Sequence, residues 1–375
     1  MKWLIGDFLK SNKITAIDIG QSSVKLVQLK KKKNIVQLLT VDQEELPFEL
    51  MKEEDNNQIV LISSALNNLF KRNNLKGNNI VTGLASRNII VRNIDIPYME
   101  KEKIKESLKF EVANCLPYDV SDPTREIVFD YIVIDSDEKR LYLLLIVAKR
   151  MIVEDFLSIF DQINCDSPSI SIKPMALLNV LDYQGKLDNP VAIFDIGAQQ
   201  TEIIIADSSN IYVSRNTDVG GVDFTEAIKE DMDITFHEAE SVKIKEGLNI
   251  QGKENEMEDD FDIDLMMKLN NTDVFQKNDN LTIVAEDLVT EMIRSLEYFV
   301  NKNDKGKELS KVYLTGGSSQ LIGLDDMLRK EVDIEVEHIN PSLNIEKKNK
   351  NKEQNLNRFT TSIGLGLGEL FKNDK

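Results

Sequence analysis

The sequence predicts an α/β protein of two related halves, the first carrying an inserted module of strands and helices. Three observations predict it. Segments rich in Ile, Val and Leu alternate with amphipathic helical segments along most of the 375 residues. One strand-turn-strand unit occurs twice. AIDIGQSSVKLVQL at residues 16–29 lays over IFDIGAQQTEIIIA at residues 193–206, and in both Asp-Ile-Gly closes the first strand. After Pro97 a block that reads helix, strand, strand, helix interrupts the pattern.

Residues 14–19, 23–30 and 35–42 read as three strands, with a basic turn at 31–34. Residues 44–57 are acidic and read as loop. Residues 58–72 have helical spacing, with Leu61, Ala65, Leu66 and Leu69 on one side. Two more strands follow at 80–85 and 89–94. In the inserted block, 100–116 is a charged amphipathic helix stopped by Pro117, with Ile104, Leu108, Glu111 and Val112 clustered. A hairpin of 126–135 and 141–148 comes next, then a helix at 151–164. The strand pattern restarts at 191–196, 201–207 and 211–216, followed by helices at 221–232 and 237–246. Residues 252–280 are acidic, Asn-rich and weakly periodic, which predicts a partly disordered surface insertion. A helix at 281–301, a strand at 312–315, a helix at 321–332 and a strand at 334–338 follow. A Lys/Asn-rich loop at 343–356 leads to a last helix at 361–371. The domains are expected at 1–188, with the module at 96–170, and at 189–375, with a variable part at 223–285 and the last helix returning to the domain junction.

With 46 basic against 64 acidic residues, the net charge is −18. That excludes a generic nucleic-acid binder, which needs a basic face, and general adsorption to anionic lipid. The longest uninterrupted apolar run, residues 141–148, falls far short of the ~20 residues that cross a bilayer, so no direct membrane span is expected. Residues 1–11 lack the long apolar core and cleavage site of a signal peptide. Cys115 and Cys165 lie in no CxxC motif and His237 and His338 are the only histidines, so no zinc site is expected and a reduced cytosolic compartment fits.

Several short motifs carry chemistry. Asp18-Ile19-Gly20 closes a strand and leads into Gln21, Ser22 and Ser23. A carboxylate at a strand end can hold Mg²⁺ or its waters. Gly20 permits a tight turn whose next amides can cradle phosphate oxygens, and Lys25 can meet a phosphate as a point charge. Alone, such a turn is more often a plain hairpin. Asp195-Ile196-Gly197, with Ala198, Gln199, Gln200 and Thr201, offers the same parts again, and the repetition strengthens the reading. Gly220 and Gly221 precede a helix, whose N-terminus favours anions. Thr315-Gly316-Gly317 and Ser318 follow a strand, and residues without Cβ let a base or ribose lie on the backbone. Glu240 and Lys243 can hold ribose hydroxyls, although such i,i+3 pairs are most often surface pairs. Gly364, Gly366 and Gly368 cost roughly 1 kcal/mol each against Ala inside a helix, which makes sense if that helix packs closely on another element. His237 reads as a surface residue and Met266-Met267 as packing.

In this order the motifs resemble those of the actin, sugar-kinase and heat-shock chaperone ATPase superfamily. Two phosphate motifs fall at 18–25 and 195–201, connecting helices at 174–181 and 362–370, and an adenosine motif at 314–324. Within that superfamily the chain resembles the PilM family, the cytoplasmic actin-like proteins of the type IV pilus machine. Residues 8–29 (a short leader, then a DIG-S-VKLV strand pair), 94–119 (IDIPYMEKEKIKESLKFEVANCLPYD), 239–247 (an AE-xx-K helix) and 293–299 (IRSLEYF) carry the narrower resemblance. The related FtsA family has the same inserted module and a C-terminal membrane-targeting helix; here the sequence stops soon after the last core helix, which favours PilM. The resemblance implies an actin-like ATPase fold, with two duplicated ribonuclease-H-like domains around a nucleotide cleft and an inserted subdomain in the first. It implies ATP with Mg²⁺. Asp18 and Asp195 would be the metal-side acids, Lys25 would approach a phosphate, Glu240 and Lys243 the ribose, and Gly316, Gly317 and Ser318 the adenosine. It also implies a scaffold held at the inner face of the cytoplasmic membrane by PilN. The cytoplasmic N-terminal peptide of PilN would lie in a groove between the first subdomain and the inserted one. Pilus motor or platform proteins and self-association complete the implied contacts.

One departure bears on turnover. The superfamily places an acidic or amide residue near the start of the first connecting helix, where it orients the attacking water; here Lys173 stands in that neighbourhood. In-line attack needs such a group, so weak or no intrinsic ATPase activity is expected, or hydrolysis that needs a partner. Two other readings stay open: an FtsA-like filament former, and a sugar or acetate kinase-like phosphotransferase, for which the sequence shows no base with a shaped substrate pocket.

Overall fold

The computed structural model describes residues 12–33, 35–47, 56–114, 116, 123–163, 165, 168–248, 279–302, 306–341, 345–347 and 355–372. Residues 252–278 of the insertion predicted at 252–280, Met266-Met267, Cys115, Pro117 and most of the 343–356 loop lie outside them. The chain divides into two units. The first is Met1–Asn189 with Ala206–Ser214 and Asn340–Lys375; the second is Pro190–Ile205 with Arg215–Ile339.

The first unit starts from a meander. β1 (Lys13–Ile19), β2 (Ser23–Lys32) and β3 (Ile35–Glu45) run antiparallel, and Ala16, Ile17, Leu26, Val27 and Leu29 are fully buried. The third strand runs past the predicted loop boundary to Glu45. α1 (Asn56–Arg72) lays Leu66 and Leu69 on the sheet, and Arg72 ties its last turn to Asp42 and Glu44 of β3. β4 (Ile80–Leu84) then pairs parallel with β1.

The module follows. β5 (Ile89–Pro97) runs three residues further than predicted, because Pro97 sits at the last residue of an edge strand where no ladder donor is needed. α2 (Lys101–Asn114) buries Ile104, Leu108 and Val112, whereas Glu111 is exposed. After the single turn α3 (Pro123–Glu126), β6 (Ile127–Ser136) and β7 (Arg140–Lys149) form the hairpin. Their sheet has the order β5-β7-β6, so β5 belongs to the module by pairing. One face of it packs with α2 in a cluster around Leu108, Leu143 and Leu145. The predicted helix at 151–164 splits into α4 (Arg150–Ser158) and a 3₁₀ turn at Asp161–Ile163. Four residues absent from the sequence reading then form β8 (Ser169–Ile172), parallel to β4. α5 (Lys173–Tyr183) follows without a linker, with Pro174 in its first turn, where a missing N–H costs nothing.

In the second unit, β9 (Val191–Ile196) and β10 (Thr201–Ala206) repeat the opening pattern, and β11 (Ile211–Thr217) straddles the unit boundary. α6 (Gly221–Met232) has the predicted bounds. It ends where Asp233 turns left-handed at φ +52°. α7 (Phe236–Glu246) starts at a capping box: Thr235 Oγ1 accepts from the Glu238 N–H while Glu238 accepts from the Thr235 N–H. α8 (Asp279–Lys302) packs on α6. β12 (Lys311–Thr315), α9 (Leu324–Glu331) and β13 (Val336–His338) complete the unit, whose strands lie in the order β10-β9-β12-β13.

The chain then returns to the first unit. β14 (Ile345–Lys347) pairs with β3, which gives the sheet the order β14-β3-β2-β1-β4-β8. α10 (Thr360–Phe371) packs on α5, β1, β2 and β4. Its glycines answer to that packing: a Cβ at Gly364 would overlap the Ala176 carbonyl of α5, and one at Gly366 would press on Leu29 of β2.

Candidate functional site

Within the second unit, motifs far apart in sequence are brought together. β9 and β12 pair parallel with Asp195 opposite Thr315, so Asp195-Ile196-Gly197 and Gly316-Gly317-Ser318 leave the sheet side by side. Gly316 sits at φ +91°, a conformation that favours glycine, and a Cβ there would overlap Asp195 Oδ1 and the Ile196 carbonyl. The Gly197 carbonyl accepts from Ser318 Oγ and from the Gly221 N–H, both at 2.9 Å. The Ala198 carbonyl accepts from the Val222 N–H at 2.7 Å, and Thr201 Oγ1 donates to the Val219 carbonyl at 2.8 Å. The Gly197–Gln200 turn closes on itself through Gly197 N–H and the Gln200 carbonyl. Three segments, 195–201, 219–222 and 316–318, thus form one knot at the start of α6.

α7 fastens the knot from behind. The Lys243 ammonium is buried and donates to the Gly221 carbonyl (2.9 Å), Thr225 Oγ1 (2.8 Å) and Glu240 Oε2 (2.6 Å). Burial pulls its pKa down, and the Glu240 carboxylate opposes that shift. An ammonium has three donors, and all three are used inside the unit. Glu240, with its side chain 36% exposed, is the member of the pair with surface to offer a ribose hydroxyl. Thr225 joins Gly221, Glu240 and Lys243 and has no counterpart in the sequence reading; its place four residues after Gly221 on α6 was the only signal.

In the first unit, Asp18 closes β1 and faces Lys25 across the β1–β2 pair. Gly20 N–H and the Ser23 carbonyl close the turn, with Gln21 and Ser22 half-buried and Ser23 buried. The Asp18 side chain is 6% exposed, and its Oδ1 lies 2.7 Å from Nζ of Lys173. The contact is an ion pair by distance, although Oδ1 lacks a hydrogen bond of good geometry. Lys173 donates instead to the Ile19 carbonyl at 3.1 Å. Burial pushes the Asp18 carboxyl up, but Lys173 and then Lys25 more than offset this and hold it below the ordinary 3.8.

This arrangement does not fit a metal ligand at Asp18, because an ammonium already sits on its carboxylate. Asp195 is half-buried; among the described residues no group of three or more His, Cys, Asp or Glu gathers, a lining that Mg²⁺ held through nucleotide phosphates does not need. Among the described residues no helix is long and apolar enough to cross a membrane. His237 is exposed, as expected.

The family model "Type IV pilus assembly protein PilM" matches residues 16–370. A solved structure described as "PilM-PilN type IV pilus biogenesis complex" is similar at a TM-score of 0.75 and 22% identity, covering 95% of this chain and 98% of that one. The ethanolamine utilization protein EutJ from Carboxydothermus hydrogenoformans is similar at a TM-score of 0.51 and 12% identity, covering 97% of this chain and 92% of that one. The fold is the actin-like α/β fold expected from the order of motifs. With its family model spanning nearly the whole sequence, the chain belongs to the type IV pilus assembly protein PilM family.

Proposed function

We propose that the chain is an ATP-binding scaffold of type IV pilus assembly that binds the cytoplasmic N-terminal peptide of a PilN protein. The observation that carries the nucleotide reading is the knot in the second unit. Backbone amides of 197–201, the start of α6 and the residues at 316–318 meet at one place. Glycine turns meeting in this way let phosphate oxygens approach the backbone closely. Ser318, Gly317 and Glu240 offer the surface for ribose and base. The PilN reading is supported by family membership and by the similarity to a PilM-PilN complex. The three-stranded module sheet supplies edge strands β5 and β6 on which an extended peptide can pair, and Tyr98, Val133 and Tyr142 are exposed apolar side chains on its elements and β5–α2 connection. Cytoplasmic location at the membrane through this partner follows from that reading, as does slow ATP turnover with Lys173 in place of a water-orienting group.

Calorimetry on the full chain tests both halves. ATP at a hundred times its dissociation constant should stabilise the protein by about 2.7 kcal/mol. A PilN N-terminal peptide should bind at micromolar strength or better, and a scrambled peptide should not. No heat and no melting shift with ATP would remove the nucleotide reading. Equal binding of both peptides would remove the partner reading.

A further inference from the structure

The ion pair between Asp18 and Lys173 joins the end of β1 to the start of α5. Lys173 opens α5, where the positive end of the helix disfavours a cation, so its placement there calls for a compensating anion. Asp18, buried at the end of β1, supplies one. The lysine stem runs beside β4, where a Cβ at Gly83 would lie 3.6 Å from Lys173 Cγ. The ammonium is held on two sides of the same turn, by Asp18 Oδ1 and by the Ile19 carbonyl. Lys25 adds a second positive charge facing the carboxylate. One carboxylate against two ammonium groups leaves no local negative charge to attract a dication, and charges a few ångströms apart repel strongly in a site this dry.

We propose that Lys173 is a built-in counter-ion that takes the place of a divalent cation at Asp18, so that this carboxylate is a structural anion and not a metal ligand. The proposal is independent of ATP binding, and its test needs no nucleotide. Thermal melting of the full chain is followed with and without millimolar MgCl₂, for the wild type, Asp18→Asn, Lys173→Gln and the double variant. The wild type should melt at the same temperature in both buffers. Lys173→Gln should melt several degrees lower and recover part of the loss in MgCl₂, since the cation can now reach the bare carboxylate. The double variant should melt closer to the wild type than Lys173→Gln does and ignore MgCl₂. A wild type that MgCl₂ stabilises, with the gain lost in Asp18→Asn, overturns the proposal. So does a Lys173→Gln protein that melts like the wild type or is indifferent to MgCl₂. If Lys173→Gln does not fold, the wild type and Asp18→Asn decide: the same response to MgCl₂ supports the counter-ion, and a response confined to the wild type overturns it. Failure to bind ATP would leave these melting curves unchanged in meaning.

Discussion

At the end of β1 a buried aspartate is matched by a lysine from a helix more than a hundred residues away. At the end of β9 the same Asp-Ile-Gly turn holds its aspartate half-buried beside a left-handed glycine, and its carbonyls are tied to two other segments by backbone and hydroxyl donors. Both turns close through the same glycine N–H to carbonyl bond, but the first adds an ion pair and the second adds carbonyl bonds to two other segments. Duplication therefore preserved the shape of the strand-turn-strand unit without preserving all that secures it. The two turns should fail in different ways.

The largest expected effect is on the charged turn. Lys173→Gln leaves Asp18 buried without its nearest cation and should cost about 3–5 kcal/mol in urea unfolding. Asp195→Asn, at the equivalent place in the second unit, should cost less than about 1 kcal/mol, in line with a change away from a buried charge. Equal losses would erase the contrast. Next comes Gly316→Ala, which asks a Cβ to occupy a left-handed position against Ile196 and Asp195; about 2–3 kcal/mol should be lost, with weaker ATP binding by titration. An alanine variant that keeps both would mean that the turn relaxes freely. Lys243→Met should cost about 1–3 kcal/mol, because the Gly221 carbonyl and Thr225 lose a donor. If instead ATP affinity falls with no loss of stability, Lys243 touches the nucleotide directly.

The smallest effect is in acid. The Asp18 carboxyl is held below its ordinary value, so the stability it contributes is fully present above about pH 4 and is lost as the pH falls through the lowered value. Asp223 at the start of α6 runs the other way: burial dominates and raises its carboxyl, so its cost at neutral pH is relieved as the pH falls through that raised value. Melting curves from pH 7 downward should flatten at the upper end of the acid range for Asp223→Asn and at the lower end for Asp18→Asn. Identical profiles for both variants would contradict the opposed shifts.

Much of this was legible in the sequence where the information is local. The meander at 13–45 and the bounds of α6 follow from alternation, helical spacing and glycine. The helical glycines at 364, 366 and 368 announced a close neighbour through their cost, though not that Ala176 is that neighbour. Non-local facts were not legible. β8 is only Ser-Ile-Ser-Ile, too short for a periodic signal, and its existence depends on pairing with Val81–Leu84. Lys173 stood out as a residue of the wrong charge, but only the tertiary structure sets it on Asp18. Lys243 could be seen beside Glu240 at helical spacing, while its grip on Gly221 and Thr225 needed α6 and α7 packed together.

The return of the chain to the first unit has a consequence for biosynthesis. Ala16 and Leu29 leave the ribosome more than 300 residues before the helix that covers them, α10. At about 5–20 residues per second, the opening sheet waits on the order of tens of seconds for its lid. Residues 190–339, by contrast, hold nearly everything the second unit needs in one stretch. The sheet of the first unit is thus covered only after residues 190–339 have been made. In the interval the uncovered sheet is a natural client for a chaperone, and a nascent chain stalled before Thr360 would present that surface indefinitely.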